Sequence, residues 1–257
     1  MSVDWQSFTR AIIVCLCVAV GGCSASYATP GRGANMSMFA GSQLQRDAQT
    51  DGSVVDVINK RPLANLPTPI AVVRVQAPGY HSATSDGWGT GAYCVVTSRD
   101  IDQMDDVLGA LLKLPMIEGL APLNRLLLPA EFHSDLELRQ AAAALHADML
   151  LIYTLDTTFE VEDVVAPLTV VTLGLSPNQV AHVSCTASAV IMDTRNGYVY
   201  GIAEATDRQQ QLASAWTSQA AVDQTRRHVE STAFKRLGDN LQITWAGVVN
   251  NHSLATR

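Results

Sequence analysis

The chain has 257 residues, a formal net charge of −7, a pI near 5.3, and 47% hydrophobic against 16% charged residues. It is too apolar for a disordered chain, and too acidic to be drawn by charge to nucleic acid or to an anionic membrane surface. The length suits one sizeable domain with a connecting segment, or two small domains.

Met1 to Arg10 is polar and ends on a cation, Ala11 to Val20 is an unbroken apolar run, and Gly21-Gly22 lead into Cys23. A cationic flank, an apolar stretch of about 7–15 residues and small residues at a cut site form a secretory signal. The run is too short to span a bilayer, which takes about 20 apolar residues. Val20-Gly21-Gly22-Cys23 resembles a bacterial lipobox, in which cleavage precedes a cysteine that carries the lipid. That resemblance implies a signal peptide over 1–22 and lipidation of Cys23 by diacylglycerol and palmitate-type chains. Several acyl chains on one residue make a stable membrane attachment. By the same resemblance, Ser24 after the cysteine implies the periplasmic face of the outer membrane.

Of the five cysteines, Cys15 and Cys17 leave with the signal peptide, and Cys94 and Cys185 remain in the body of the chain. In an oxidising compartment this pair is a candidate disulfide. The alternative is two buried thiols, since free cysteine is among the most buried residue types.

Residues 23–68, from the lipidated cysteine onward, read as a flexible linker. Ser24 to Ala34 is small-residue-rich and aperiodic, Ser53 to Lys60 forms at most a short amphipathic turn, and Pro62, Pro67 and Pro69 favour extended chain. The globular α/β domain is expected over 69–250, with a tail at 251–257. Ile70–Gln76 and Ala92–Thr97 predict strands, separated by a Gly/Ser-rich loop over 79–91. Asp100 to Leu114 carries apolar residues at Ile101, Met104, Val107, Leu108, Leu111 and Leu112, the spacing of an amphipathic helix that Pro115 stops. Leu123–Leu128 predicts a strand. Ser134 and Glu137 form a capping box for a helix over Leu136–His146.

Asp148 to Leu155 is nearly all apolar, as in a strand covered on both faces. Leu168–Leu173 predicts another strand, and the alternation from Val183 to Ile191 a half-buried one. Asn196-Gly197 turns the chain into a partner strand, Tyr198–Ala205. A last helix, Ala215 to Val248, aligns Val222, Val229, Ala233, Phe234, Leu237, Leu241 and Trp245, with Gly238 as a possible break. The order predicts an α+β fold: a single mixed β-sheet with helices mainly on one face and a meander at one edge.

Little in the residue pattern points to chemistry. Gly87-Trp88-Gly89-Thr90-Gly91 precedes a strand, whereas phosphate-cradling glycine loops lead into a helix N-terminus. The six histidines show no paired-ligand spacing, so neither a metal nor a cofactor is expected. In His133-Ser134-Asp135 adjacency supplies no triad geometry, and Ser134 reads as a cap. Glu160, Glu162 and Asp163 lack the alternation and glycine of a calcium loop and read as solvated edge charges. Tyr80, His81 and Trp88 make the 79–91 loop the candidate partner-contact surface, because aromatics anchor interfaces.

Two segments carry a wider resemblance. Leu138 to Tyr153, a helix running through Ala147-Asp148 into an apolar strand, resembles a unit of periplasmic lipoproteins related to the curli secretion lipoprotein and the outer-membrane activators of penicillin-binding proteins. Ala189 to Tyr200, with Asp193 and Gly197, is similar to that group's strand–turn–strand hairpin. The resemblance implies a compact α/β domain that binds other envelope proteins and has no catalytic residues to carry over. The curli lipoprotein also lends hairpins to an oligomeric pore, but Phe159 to Leu175 lacks the two alternating tracts of about ten residues that barrel strands need.

The expectation is therefore a membrane-anchored, non-enzymatic periplasmic accessory or scaffold protein. The alternatives are a periplasmic hydrolase with a site around His81, Ser82 and Asp86, and a subunit of an oligomeric secretion complex.

Overall fold

A computed structural model describes residues 32–40, 51–82, 85–97, 104–163, 179–213 and 219–255; Cys23, the signal peptide and the strand predicted at Leu168–Leu173 lie outside these. Two helices, α1 (Ser37–Ala40) and α2 (Asp51–Asn59), precede β1 (Thr68–Gln76). There follow β2 (Thr90–Gly91), β3 (Cys94–Val96), α3 (Met104–Leu112), β4 (Ile117–Pro122), a 3-10 turn (Arg125–Leu127), β5 (Glu131–Phe132) and α4 (Leu136–Ala144). Three long strands come next, β6 (Met149–Asp163), β7 (Gln179–Asp193) and β8 (Val199–Ala213), and α5 (Gln219–Ala255) closes the described chain.

The fold is α+β on a six-stranded mixed sheet ordered β3-β1-β6-β7-β8, with β4 sharing an edge of β1 with β3. β1 runs parallel to β4 and β6, while β6, β7 and β8 form an antiparallel meander. The larger helical layer, α3 and α5, covers one face. There Val229, Ala233, Phe234, Leu237, Leu241 and Trp245 of α5 pack on Ile70, Leu151, Tyr153, Leu155 and the inward residues of β7. Among the described residues the opposite face is covered only over its lower part, where Leu138, Ala141 and Ala142 of α4, with Phe39 of α1, pack on Ala71, Val73, Leu150, Ile152 and Met192.

This half-covering explains a change of pattern inside β6. Up to Leu155 both faces are buried and the sequence is apolar but for Thr154. Beyond it Thr157 stays buried under α5, while Asp156, Thr158 and Glu160 are exposed on the bare face. Ser184, Thr186 and Ser188 of β7 and Glu204, Thr206 and Arg208 of β8 extend that polar surface. The strands run to 15 residues each, well past the predicted Leu155 and Ala205 and about three times the common length.

Other boundaries shift for local reasons. The strand predicted at Leu123–Leu128 is not formed: that segment holds the 3-10 turn, and β4 ends before it at Pro122. Asn124 accepts the Leu126 N–H on its side chain and turns the chain into the 3-10 segment. At α4 the capping box is present in its reciprocal arm: Glu137 accepts the Ser134 N–H at 3.1 Å, and the Ser134 hydroxyl accepts from Leu136. The same helix ends at Ala144 in a Schellman arrangement, with His146 in the left-handed conformation and Ala147 N–H bonded to Ala142 O at 3.0 Å. α5 runs unbroken through Gly238.

β8 is an edge strand, and α5 blunts it. Arg236, Asn240 and Thr244 donate to the carbonyl oxygens of Thr206, Glu204 and Ile202 at 2.9, 2.7 and 3.4 Å. Four residues of helix rise about 6 Å and two residues of strand about 6.8 Å, so the two repeats stay in step. Unpaired edges otherwise recruit further strands. Replacing all three donors by alanine should leave far-ultraviolet circular dichroism unchanged and convert the protein to self-associating species in light scattering. An unchanged monomer-sized signal would show that the edge needs no such guard.

Candidate functional site

The most densely bonded polar group lies at the lower end of the sheet. Asp193, the last residue of β7, is fully buried. Its Oδ2 accepts the N–H groups of Leu63 and Ala64 and the Tyr200 hydroxyl, each at 2.8 Å, while Oδ1 accepts the Arg195 N–H at 2.9 Å. A buried carboxylate is tolerated when its oxygens are saturated with donors. Burial foremost, reinforced by the adjacent Asp193, pushes the Tyr200 phenol far above its ordinary range, so it stays a donor. Beside this clasp Arg195 pairs with Asp148 at 2.7 Å, and Thr194 N–H bonds Asp148 O at 3.0 Å. The two segments singled out by resemblance thus meet at one corner. Asn196 donates to Arg61 O at 2.8 Å, drawing in the residues ahead of β1. Both Asp193 oxygens are occupied by donors, while the neighbouring Thr194 hydroxyl is buried without a bonding partner among the described residues.

The 79–91 loop divides. Tyr80, expected as a contact residue, is buried: Arg74 donates to its hydroxyl at 3.0 Å and lies 5.3 Å from its ring centroid. His81 and Asp86 do meet, Nδ1 to Oδ1, on the exposed part of the loop. The Ser82 hydroxyl is buried and bonded to Ser85 O and Oγ, each at 3.1 Å. Histidine, acid and hydroxyl therefore do not converge on an open cleft. The glycines serve packing: at Gly91, with φ of 108°, a Cβ would stand 2.2 Å from Phe132 O, where β2 pairs with β5.

Trp88 is held by reciprocal backbone bonds to Val95 and stays 38% exposed. The Arg125 guanidinium lies 5.7 Å from its ring centroid, and the neighbouring Leu126 and Leu127 are 87% and 40% exposed. Composition shows aromatics but not this juxtaposition, because the 3-10 turn that brings Arg125 to Trp88 is legible only through Asn124. A ring, a cation and two aliphatic side chains on an ordered frame have the makeup of a protein-contact anchor.

Cys94 and Cys185 are free thiols, so the candidate disulfide is absent. Cys94 is on β3 and Cys185 on β7, with β1 and β6 between them. Three inter-strand steps amount to about 14 Å, well beyond the reach of a disulfide. Cys94 instead donates to Ala77 O at 3.1 Å. Burial raises both thiols, Cys185 to about 12.

A further pair went unread in the sequence. Arg226 and Glu230, one turn apart on α5 and both buried, pair at 2.8 Å, and Thr157 donates to Glu230 at 2.8 Å. Among the described residues no three His, Cys, Asp or Glu side chains are grouped to hold a metal, and no helix is long and apolar enough to cross a membrane. No protein family model matches the chain, and no curated protein is significantly similar to it.

Asp193→Ala strands several buried donors and should lower the unfolding free energy by about 2–4 kcal/mol in urea titration; a loss under about 0.5 kcal/mol would mean that water replaces the carboxylate. Peptide mapping after iodoacetamide at pH 8 should find Cys94 and Cys185 unmodified in the folded protein and alkylated after denaturation. Modification of the folded chain would contradict their burial. Since both thiols titrate higher when folded, their contribution to stability is intact below pH 9 and falls as pH rises from there towards 12.

Proposed function

We propose that the chain is a lipid-anchored, non-enzymatic accessory protein of the bacterial cell envelope that binds another envelope protein through the surface around Trp88. The lipobox-like Val20 to Cys23 supports the anchor, and Ser24 after it the outer-membrane periplasmic address. The observation that carries the binding reading is the exposed Trp88–Arg125–Leu126 patch, held by the Trp88–Val95 backbone bridge and a capped turn. Aromatic and arginine side chains dominate interface energetics, and a rigid frame lowers the entropy lost on binding. The polar clasp at Asp193 stabilises the domain and takes no part in chemistry.

The His81–Asp86 contact is what favours the other reading, a hydrolase on the same loop, and the engagement of Ser82 by Ser85 weighs against it.

The test is in-cell photocrosslinking from a reactive side chain introduced at Leu126 in the full-length protein. The proposal expects a discrete adduct with one envelope protein, reduced about tenfold by Trp88→Ala, whose truncation of an anchor removes about 1.4 kcal/mol or more. His81→Ala should leave that adduct intact. No adduct, or one indifferent to Trp88, would overturn the proposal. Metabolic fatty-acid labelling should disappear in Cys23→Ser.

A further inference from the structure

The segment expected to be a free leash from residue 23 to residue 68 is in part seated on the sheet. Gly33 forms an antiparallel bridge with Gln76, and Arg32 O accepts the Ala77 N–H at 3.0 Å. The Gly33 N–H donates to Asp156 Oδ1 at 3.1 Å and the Ala34 N–H to Thr154 Oγ1 at 2.8 Å. Asn35 then caps α1 by accepting the Ser37 N–H at 3.1 Å, and Phe39, 2% exposed, packs edge-on against Tyr93 with centroids 5.1 Å apart.

The seat is built from buried polar groups. The Gln76 side-chain amide accepts the Leu155 N–H at 3.0 Å and donates to Leu155 O at 2.9 Å, so it carries the β1–β6 ladder one residue further. The same amide oxygen accepts the Thr154 hydroxyl at 3.0 Å. At Gly33 a Cβ would lie 3.0 Å from both Asp156 Cβ and Thr154 Oγ1, so a branched residue would lift the strap.

The direction of the strap matters most. Because it runs antiparallel to β1, the strap has Arg32 at the end where β1 stops and β6, β7 and β8 run on. Only residues 24–32 separate Gly33 from Cys23. Ten Cα steps reach at most about 35 Å, whereas an unattached run to residue 68 would reach several times as far.

We infer that the strap at residues 32–39 orients the domain on the lipid surface, holding the extended end of β6–β8 towards the bilayer and the Asp193 corner away from it. The inference rests on the proposed lipidation of Cys23. It gives the bare, hydroxyl-rich face of the meander a location near the lipid headgroups, while the acidic chain has no charge-based reason to settle there. The orientation is therefore mechanical, imposed by a short lipid-linked lead into a docked strap.

The experiment uses the full-length lipidated protein in phosphatidylcholine vesicles containing an acceptor dye on a headgroup. A donor dye is attached through Thr158→Cys at the extended end, or through His146→Cys beside the Asp148 corner, the two buried native thiols remaining unlabelled. Along β6 these ends lie about 33 Å apart. The expected result is several-fold more energy transfer from Thr158 than from His146, and loss of that difference in Gly33→Val. Phe39→Ala, which leaves the backbone bridge open to form, should narrow the difference, and a melting curve on each variant confirms a folded domain. Equal transfer from both positions in a protein that still carries fatty acid would overturn the orientation alone, as would an unchanged difference in a folded Gly33→Val. Absence of fatty-acid labelling would overturn the anchor itself, and the orientation with it.

Discussion

A carboxylate with no access to water must find donors for both of its oxygens, and Asp193 is the residue around which that requirement organises the molecule. An unpaired charge in such a place is opposed by several kcal/mol. Its four donors come from three parts of the chain: the stretch ahead of β1, the turn after β7, and β8. Satisfying Asp193 therefore brings Leu63 and Ala64 onto the sheet, sets the β7–β8 turn and presents Arg195 to Asp148. Once these are in place, β1 enters the sheet beside β6 with both its faces covered.

The same device recurs where β1 ends. Thr154 and Asp156 hold the strap by accepting its N–H groups, and Gln76 orients the Thr154 hydroxyl from inside the sheet, much as Asp193 holds the residues before β1. The polypeptide N-terminal to β1 is thus fastened at both ends of that strand by polar side chains. The domain begins well before residue 69, at which the composition of the chain changes. A proposed lipid on Cys23 then acts through a lead of nine residues, which bears on where the Trp88 surface stands relative to the membrane.

The parts of the fold legible in the sequence are those set by periodic burial. The face of α5 from Val229 to Trp245, the alternation of β7 and the nearly unbroken apolar run of β6 up to Leu155 each reflect a surface covered on one or both sides. The parts that were not legible depend on single polar residues acting over long distances in the chain. Nothing in Gly33 or Leu63 announces a bond to Asp156 or Asp193, more than a hundred residues away. Asp193 itself was marked only as a motif letter, with no sign that it would be buried. Gln76 ends a strand, where an amide ordinarily faces solvent. Arg226 and Glu230 stand at a common surface spacing, yet α5 buries both against Thr157. On the 79–91 loop Trp88 is exposed, whereas Tyr80 is not, because Arg74 within β1 draws its hydroxyl inward. The pairing of Cys94 with Cys185 failed because strand order, unreadable from spacing, puts β1 and β6 between them.

The domain thus has a core of apolar layers, two polar fastenings that make the N-terminal segment part of it, and an exposed aromatic patch as the proposed meeting point with a partner. Native-state hydrogen exchange resolved by residue tests that fastening most directly. If Asp193 and Thr154 hold the segment, the amides of Leu63, Ala64 and Ala34 exchange as slowly as those of the β6 core from Leu150 to Leu155. Exchange of these three amides at the rate of an unstructured chain, with β6 still protected, would contradict it.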